Sequence, residues 1–148
     1  MKRLMVGLLA GGLLAAMLPG VATAECPEGC TPGYWKQVHH FDVWTGYEPD
    51  DSFGDVFGVA LEAKGDRTLG EALRLKGGNG GLNQLARHAV AALLNASSPN
   101  VAYPLTEEEV IALVGGAAFA KGAAVVGGAE NGVKEVLATY NENGCPLE

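Results

Sequence analysis

The chain lacks the sequence signatures that mark the common catalytic and nucleotide-binding sites. It contains no G-x-S-x-G turn of a serine hydrolase, no H-E-x-x-H zinc motif and no dinucleotide-binding fingerprint. Its glycine-rich run, Gly77–Gly81, follows no predicted strand and lacks the lysine and hydroxyl residue that a phosphate-binding loop needs in fixed positions. The sequence therefore favours a non-catalytic protein without a cofactor.

Positive charge is also scarce. The 148 residues include 10 Lys and Arg against 17 Asp and Glu, which gives a formal net charge of −7. Binding to nucleic acid or to an anionic membrane surface requires clustered basic side chains, and the composition offers few of them. We therefore expect neither nucleic acid nor a membrane surface as a partner.

A membrane anchor is not expected, because the apolar run Leu4–Leu18 is short for the roughly 30 Å of hydrocarbon in a bilayer. Lys2 and Arg3 precede this run, and Ala22-Thr23-Ala24 follows it as an A-x-A cleavage site. Met1–Ala24 therefore has the pattern of a signal peptide. We predict a secreted or periplasmic protein of prokaryotic type.

Cleavage after the signal peptide would leave residues 25–148, which is enough for one domain with its own core. Within that domain, residues 25–60 are rich in aromatic and acidic side chains and residues 66–148 are helical in pattern. Glu25 stands directly before Cys26, where a lipoprotein would carry a small residue, so lipid attachment is not predicted. Loss of the two N-terminal basic residues lowers the formal net charge from −7 to −9.

The chain has three cysteines, Cys26, Cys30 and Cys145, and an exported protein is expected to oxidise them. A Cys30–Cys145 bridge would join the two ends of the domain, and we favour this pairing over Cys26–Cys145 or Cys26–Cys30. The odd cysteine is then either a spare thiol or the link in a disulfide-bonded dimer. Zinc bound by Cys26 and Cys30 with His39 or His40 is a further alternative, but the cysteine spacing is not that of a standard zinc motif.

Strand-like alternation of apolar and polar residues is absent, whereas helical periodicity is strong in the second half of the chain. Leu82–Asn95 is the clearest helix, Asn131–Asn141 is another, and capping-box spacing at Thr68–Glu71 and Thr106–Glu109 starts two more. Gly115-Gly116 is predicted to bend or end the helix that contains it. The fold class is therefore mainly α: a small disulfide-stapled domain of about four to five helices after an aromatic-rich N-terminal loop.

Both tryptophans and two of the three histidines lie in one segment, Cys30–Trp44. Pro32-Gly33 predicts a type II turn that would hold the following aromatics rigidly. One interpretation places Tyr34, Trp35, Phe41 and Trp44 in a small core. The other makes the segment a binding surface for a glycan or an extracellular protein, with the candidate residues Tyr34, Trp35, Lys36, His39, His40 and Trp44.

The heptapeptide Cys30-Thr-Pro-Gly-Tyr-Trp-Lys36 resembles the C-[ST]-P-G-[YF]-W-K signature of a set of secreted prokaryotic proteins with no assigned activity. Similar proteins carry a helical stretch like Leu85–Asn95 and end near a sequence like Asn143–Leu147. The likeness extends over most of the predicted mature chain. It implies a secreted domain, and it implies no reaction and no catalytic residue.

These features favour a secreted, non-catalytic structural or binding module with an aromatic patch near the heptapeptide. One alternative is a metal-binding extracellular protein, because the acidic residues between Glu48 and Asp55 could supply oxygen ligands to calcium. In the competing interpretation of that loop, Asp50 caps a short helix instead. The other alternative is a hydrolase that uses His39, His40 and Asp42.

Overall fold

The structure is a computed structural model that describes residues 26–61, 66–77, 81–122 and 129–148. For residues 117–122 and 129–131 it describes only the backbone. The predicted signal peptide, Met1–Ala24, lies outside the described residues, as do residues 78–80 of the glycine-rich run.

Within these ranges the chain forms six α-helices and one 3₁₀ helix, and no β-strand. They are α1 (Pro32–Trp35), the 3₁₀ helix Val38–Val43, α2 (Phe53–Phe57), α3 (Leu69–Ala72), α4 (Leu82–Ser97), α5 (Glu107–Gly122) and α6 (Ala129–Asn141). The predicted mainly α, disulfide-stapled fold is confirmed. None of the described helices has the length and apolar character needed to cross a membrane.

Side-chain caps explain where three of the helices begin. Thr68 and Glu71 form a reciprocal capping box at the start of α3, and Thr106 and Glu109 do the same for α5. Ser52 caps α2 by accepting a hydrogen bond from the N–H of the third helical residue at 2.9 Å. The prediction that Asp50 provides this cap is wrong, because α2 begins only at Phe53.

Helix α4 is the centre of the core, and it packs against α1, α3, α5 and α6. Its apolar residues recur at helical spacing and are so numerous that the stretch Ala89–Asn95 is buried without interruption. Leu137 of α6, together with Val110 and Val114 of α5, closes over it. The two long helices that follow α4 therefore bury their apolar faces against a common partner.

Helix α5 continues through Gly115 and Gly116 to Gly122, so of the two predicted outcomes, a bend or an end of the helix, the end is wrong. Glycine adopts the helical conformation, although it disfavours a helix by about 1 kcal/mol relative to alanine. Packing offsets this cost, because Val110 and Val114 are buried in the preceding turns. Helix α5 also packs against α2 near this pair: a Cβ at Gly115 would lie at an ordinary contact distance, 3.6 Å, from the carbonyl oxygen of Phe57.

The two ends of the domain are joined covalently and by hydrogen bonds. Cys30 and Cys145 form the favoured disulfide, with their Cα atoms 4.4 Å apart, and Cys26 is an exposed free thiol. The N–H of Gly29 donates to the carbonyl of Gly144 at 3.1 Å. Gly29 approaches the end of α6 so closely that a Cβ there would collide with the carbonyl oxygen of Tyr140.

Candidate functional site

The first six residues of the Cys30–Trp44 segment are built into the core. Thr31 caps α1 by accepting from the N–H of Tyr34 at 3.3 Å, and Pro32 occupies the first turn of the helix, where a missing N–H costs nothing. The predicted type II turn is therefore wrong: the chain is helical at Pro32, and Gly33 does not have a positive φ. This short helix delivers Trp35 into the interior, where it has no exposed surface.

A buried amide, Asn95 of α4, holds this part of the segment in place. Its Oδ1 accepts from the backbone N–H of Cys30 at 2.9 Å and from Nε1 of Trp35 at 3.0 Å. Its Nδ2 donates to the carbonyl of Cys30 at 2.9 Å and to Oδ1 of Asn141 at 3.0 Å. These four bonds use the full hydrogen-bonding capacity of an asparagine side chain. The network therefore gives hydrogen-bond partners to polar groups of Cys30 and Trp35 that would otherwise be buried without any.

The network continues through Asn141 at the end of α6. Asn141 Oδ1 also accepts from the hydroxyl of Tyr103 at 2.9 Å, and its Nδ2 donates to the carbonyl of His88 at 3.0 Å. Burial raises the pKa of Tyr103, and Tyr140 raises it further. Burial, and secondarily the charge of Arg87, lowers the pKa of His88 below its ordinary value of 6.5. Both groups are therefore held neutral around the buried amides.

The remaining residues of the segment lie at the surface. Lys36 and His39 are exposed, whereas the ring of His40 stacks on Tyr34 at 3.8 Å and its Nδ1 lies 2.9 Å from the carbonyl oxygen of Tyr34. With His40 over it, the side chain of Tyr34 is only 7% exposed. Among the predicted binding residues, Tyr34 and Trp35 thus support the surface from beneath.

The 3₁₀ helix carries the most exposed apolar side chains of this region. Val38 is 70% exposed and Val43 is 44% exposed. Trp44 is half-buried and packs edge-on against Phe41 with ring centroids 5.2 Å apart. Its Nε1 is buried and has no hydrogen-bond partner among the described residues. We call the 3₁₀ helix Val38–Val43 together with Trp44 the 38–44 surface.

Two open clefts flank the 38–44 surface. One, of about 620 Å³, is lined by Thr31, Gly33, Tyr34, His39 and His40 on the motif side and by the C-terminal Leu147 and Glu148. The other, of about 640 Å³, is lined by Lys36 and Val38 together with residues of the α3–α4 connection and Arg87 of α4. Gln37 borders both clefts, so this corner of the chain separates them.

The described part of the chain brings together no group of three or more His, Cys, Asp or Glu side chains that could hold a metal. His39 and His40 lie edge to face at 4.2 Å, but neither is hydrogen-bonded to Asp42, and the bonded neighbour of His88 is Asn141. Among the described residues, the hydrolase alternative therefore has no hydrogen bond between its histidines and its carboxylate.

Two carboxylates, Asp51 and Asp66, make hydrogen bonds to the acidic loop of residues 48–55. Asp51 Oδ2 accepts from the N–H of Glu48 at 2.7 Å. Asp66 accepts from the hydroxyl of Ser52 and from the N–H of Gly54 at 2.8 Å. Slight desolvation opposes ionisation of the exposed Asp66, but its hydrogen bonds lower its pKa below the ordinary value. Asp51 is thus engaged within the acidic loop, and Asp66 joins that loop to the segment before α3.

Comparison of the chain with protein-family models, with curated proteins and with solved structures finds no match. The likeness of Cys30–Lys36 to a signature of secreted prokaryotic proteins stays a prediction and assigns no residue role.

Proposed function

We propose that the protein is an exported, non-catalytic binding module whose 38–44 surface contacts another protein outside the cytoplasm. The observation that carries this proposal is the exposure of Val38 and Val43, 70% and 44%, on a helix that follows a rigidly anchored motif. A half-buried tryptophan adjoins these valines. Apolar and aromatic side chains surrounded by a polar rim are the usual composition of a protein–protein contact.

A protein partner fits this surface better than a glycan. Stacking on a sugar ring needs an exposed aromatic face, and Trp35 has none. The ring of Tyr34 is covered by His40, and Trp44 is partly covered by Phe41. The exposed Lys36 and His39 supply polar groups at the margin of the valines. An extracellular or periplasmic protein is therefore the proposed partner, and a glycan is the outcome that would replace it.

The non-catalytic part of the proposal rests on how the histidines are used. The contacts of His40 are those of a packing residue, because its ring covers Tyr34 and its Nδ1 meets a backbone carbonyl. His40 Nδ1 faces a backbone carbonyl and Nε2 stays free, but no hydrogen bond among the described residues joins His39 or His40 to the Asp42 carboxylate. The metal-binding and hydrolase alternatives therefore have less support than binding.

Site-specific photo-crosslinking in the producing cells tests the partner directly. A p-benzoylphenylalanine residue replaces Val38 in one variant and Val136 of α6, which is also exposed, in a matched control. We expect one discrete protein adduct from position 38 and none from position 136. Adding Val43→Asp to the position-38 variant should reduce the adduct at least about tenfold, since a buried unpaired charge opposes association. Val136→Asp should leave it unchanged.

Mass spectrometry identifies the adduct and so shows which molecule contacts the 38–44 surface. A protein other than this chain supports the proposal. No adduct from position 38, equal adducts from both positions, or a carbohydrate adduct would each overturn it. A second copy of this chain would replace the proposed partner by self-association.

The mass of the protein from culture fluid or periplasm tests export and oxidation in one measurement. We expect a chain that begins at Glu25 and is two hydrogens lighter than the reduced form, with no metal in the native mass. A mass that doubles without reductant and halves with it would assign the exposed Cys26 thiol to a disulfide-linked dimer. An uncleaved chain would contradict export through the predicted signal peptide.

A further inference from the structure

One cleft of this acidic protein concentrates basic side chains. Of the ten Lys and Arg residues, Lys2 and Arg3 belong to the predicted signal peptide, which leaves eight in the mature chain. Four of those eight line the cleft of about 640 Å³ beside the 38–44 surface: Lys36, Arg74, Lys76 and Arg87. They come from sequence positions up to 51 residues apart, and the fold gathers them at one place. The chain as a whole is poor in basic residues, yet this cleft has an excess of them.

No carboxylate among the described residues neutralises this cluster. None of the four side chains makes an ion pair with a carboxylate of the described residues, whereas Lys134 of α6 pairs with Glu135 at 2.7 Å. Arg87 is half-buried, and its Nε lies in the protein without a hydrogen-bond partner among those residues. Like charges that line one cleft repel one another, and a bound anion would relieve that repulsion.

The guanidinium of Arg74 is held in a fixed position at the cleft wall. Its Nη1 donates to the carbonyl of Gly70 at 2.9 Å, and its Nη2 donates to the carbonyl of Lys36 at 3.1 Å. The same group lies 5.4 Å from the ring centroid of Phe41. These contacts use two of the five N–H donors, so the others remain for a ligand. A guanidinium already held in place loses little conformational entropy when it binds an oxyanion.

We propose that this cleft binds a small ligand with two or more phosphate or sulfate groups. Its volume is within the range of small-molecule sites, roughly 300–1,000 Å³. Planar guanidinium groups and lysine ammoniums are the donors that such oxyanions prefer. The net charge of the rest of the chain is strongly negative, which opposes the approach of a long polyanion and favours a short one. This site needs no partner protein and is separate from the proposed docking function, although Val38 borders both.

Isothermal titration calorimetry of the purified mature protein tests the site with two probes at fixed ionic strength. Inorganic triphosphate represents phosphate ligands, and a disulfated disaccharide represents sulfate ligands. Lys76→Gln and Arg87→Gln each remove one charge from the cleft, and Lys134→Gln removes one charge from outside it. Lys76 is exposed, so its variant should fold normally; unchanged circular dichroism verifies this for all three.

We expect wild-type protein to bind at least one probe, with affinity that falls as salt concentration rises. Each cleft variant should weaken binding by about five- to tenfold, which corresponds to roughly 1–1.4 kcal/mol, and Lys134→Gln by less than about twofold. The probe that binds more tightly identifies the source of the anion. No binding of either probe at 5 mM, equal weakening by Lys134→Gln, or cleft variants that bind like wild type would overturn the proposal.

Discussion

Two halves of one short segment serve different purposes in this molecule. Residues 30–35 are mostly buried, and they are capped, disulfide-bonded and hydrogen-bonded to Asn95, whereas residues 36–44 are mostly exposed. The first half carries the most recognisable sequence, and the second half carries the accessible chemistry. A sequence signature can therefore mark the part of a protein that builds the fold, while the neighbouring residues are the ones left exposed.

The disulfide should show the largest difference between the halves. Replacing both cysteines in Cys30→Ala/Cys145→Ala removes a crosslink that spans 115 residues, and we expect a loss of about 4–5 kcal/mol in the free energy of unfolding. Urea denaturation of the purified variants measures it. Cys26→Ala is the control and should change stability by less than about 0.5 kcal/mol, because its side chain is exposed. Equal effects of both changes would contradict the structural role assigned to the bridge.

Asn95→Ala tests whether the buried amide network anchors the first half. The change leaves the N–H and carbonyl of Cys30 and the Nε1 of Trp35 buried without partners. We expect a loss of about 3–5 kcal/mol in urea denaturation, since each stranded buried group costs about 1–3 kcal/mol. Asn100→Ala, at an exposed asparagine of the following loop, should cost less than about 0.5 kcal/mol.

Trp35→Phe gives a graded version of the same test if the Asn95 variant does not fold. It removes one donor to Asn95 Oδ1 and leaves the N–H of Cys30 as the other. A loss of about 1–2 kcal/mol is expected from the missing hydrogen bond and the smaller ring. A loss below about 0.5 kcal/mol would show that the network contributes little.

His88 should make stability depend on pH in the acidic range. In the unfolded chain its imidazole takes up a proton near pH 6.5, whereas burial lowers its pKa in the folded protein. Below pH 6.5 the unfolded state therefore binds more protons, and the free energy of unfolding falls as pH falls. Wild type should lose more stability than His88→Gln between pH 8 and pH 5.5. Identical slopes for the two proteins would contradict the assignment.

The smallest effect is expected from the exposed half. Val38→Ser and His39→Ala should each change the free energy of unfolding by less than about 0.5 kcal/mol, because their side chains are exposed and touch little of the core. The same urea titration applies. A loss above about 1 kcal/mol in the free energy of unfolding would contradict the difference between the two halves, since it would show that the 3₁₀ helix itself stabilises the fold.

Local features of the fold could be predicted from the sequence because their causes lie within a few residues. The capping boxes at Thr68 and Thr106 and the apolar stripe of α4 are confirmed for this reason. The wrong predictions at Asp50 and Pro32 also have local causes, because in each case a nearby residue caps the helix instead. Ser52 and Thr31 lie directly before the helices and take the capping positions.

The buried network could not be predicted, because its partners are far apart in the sequence. Asn95 lies 65 residues from Cys30 and 46 from Asn141, and periodicity carries no information about such pairs. In the sequence, Asn95-Ala96-Ser97 has the pattern of a glycosylation site, but the side chain of Asn95 is completely buried. A polar residue at the end of an otherwise apolar helical stripe is the signal that could have found it, since buried amides require partners.

The basic cleft was equally hidden. Composition reports the total charge, and the fold decides which like charges become neighbours. Arg74 lies in the α3–α4 connection and Arg87 on α4, and the packing of α3 against α4 places both beside Lys36. The residue types in the segment identified the candidate surface residues. The sequence did not show which of their side chains are buried and which are exposed, because that depends on the direction of α1.

The bridge between Cys30 and Cys145 also keeps the two ends of the domain close together. It holds the first and last parts of the described domain together, with the two Cα atoms 4.4 Å apart, and the residues beyond it still contact the domain, as Glu28 and Leu147 do. Domains with neighbouring ends tolerate circular permutation and insertion into the loops of other proteins. This one could therefore be spliced as a cassette into a surface loop of a host protein. Both junctions with the host protein would then lie next to each other, and the disulfide would hold them together.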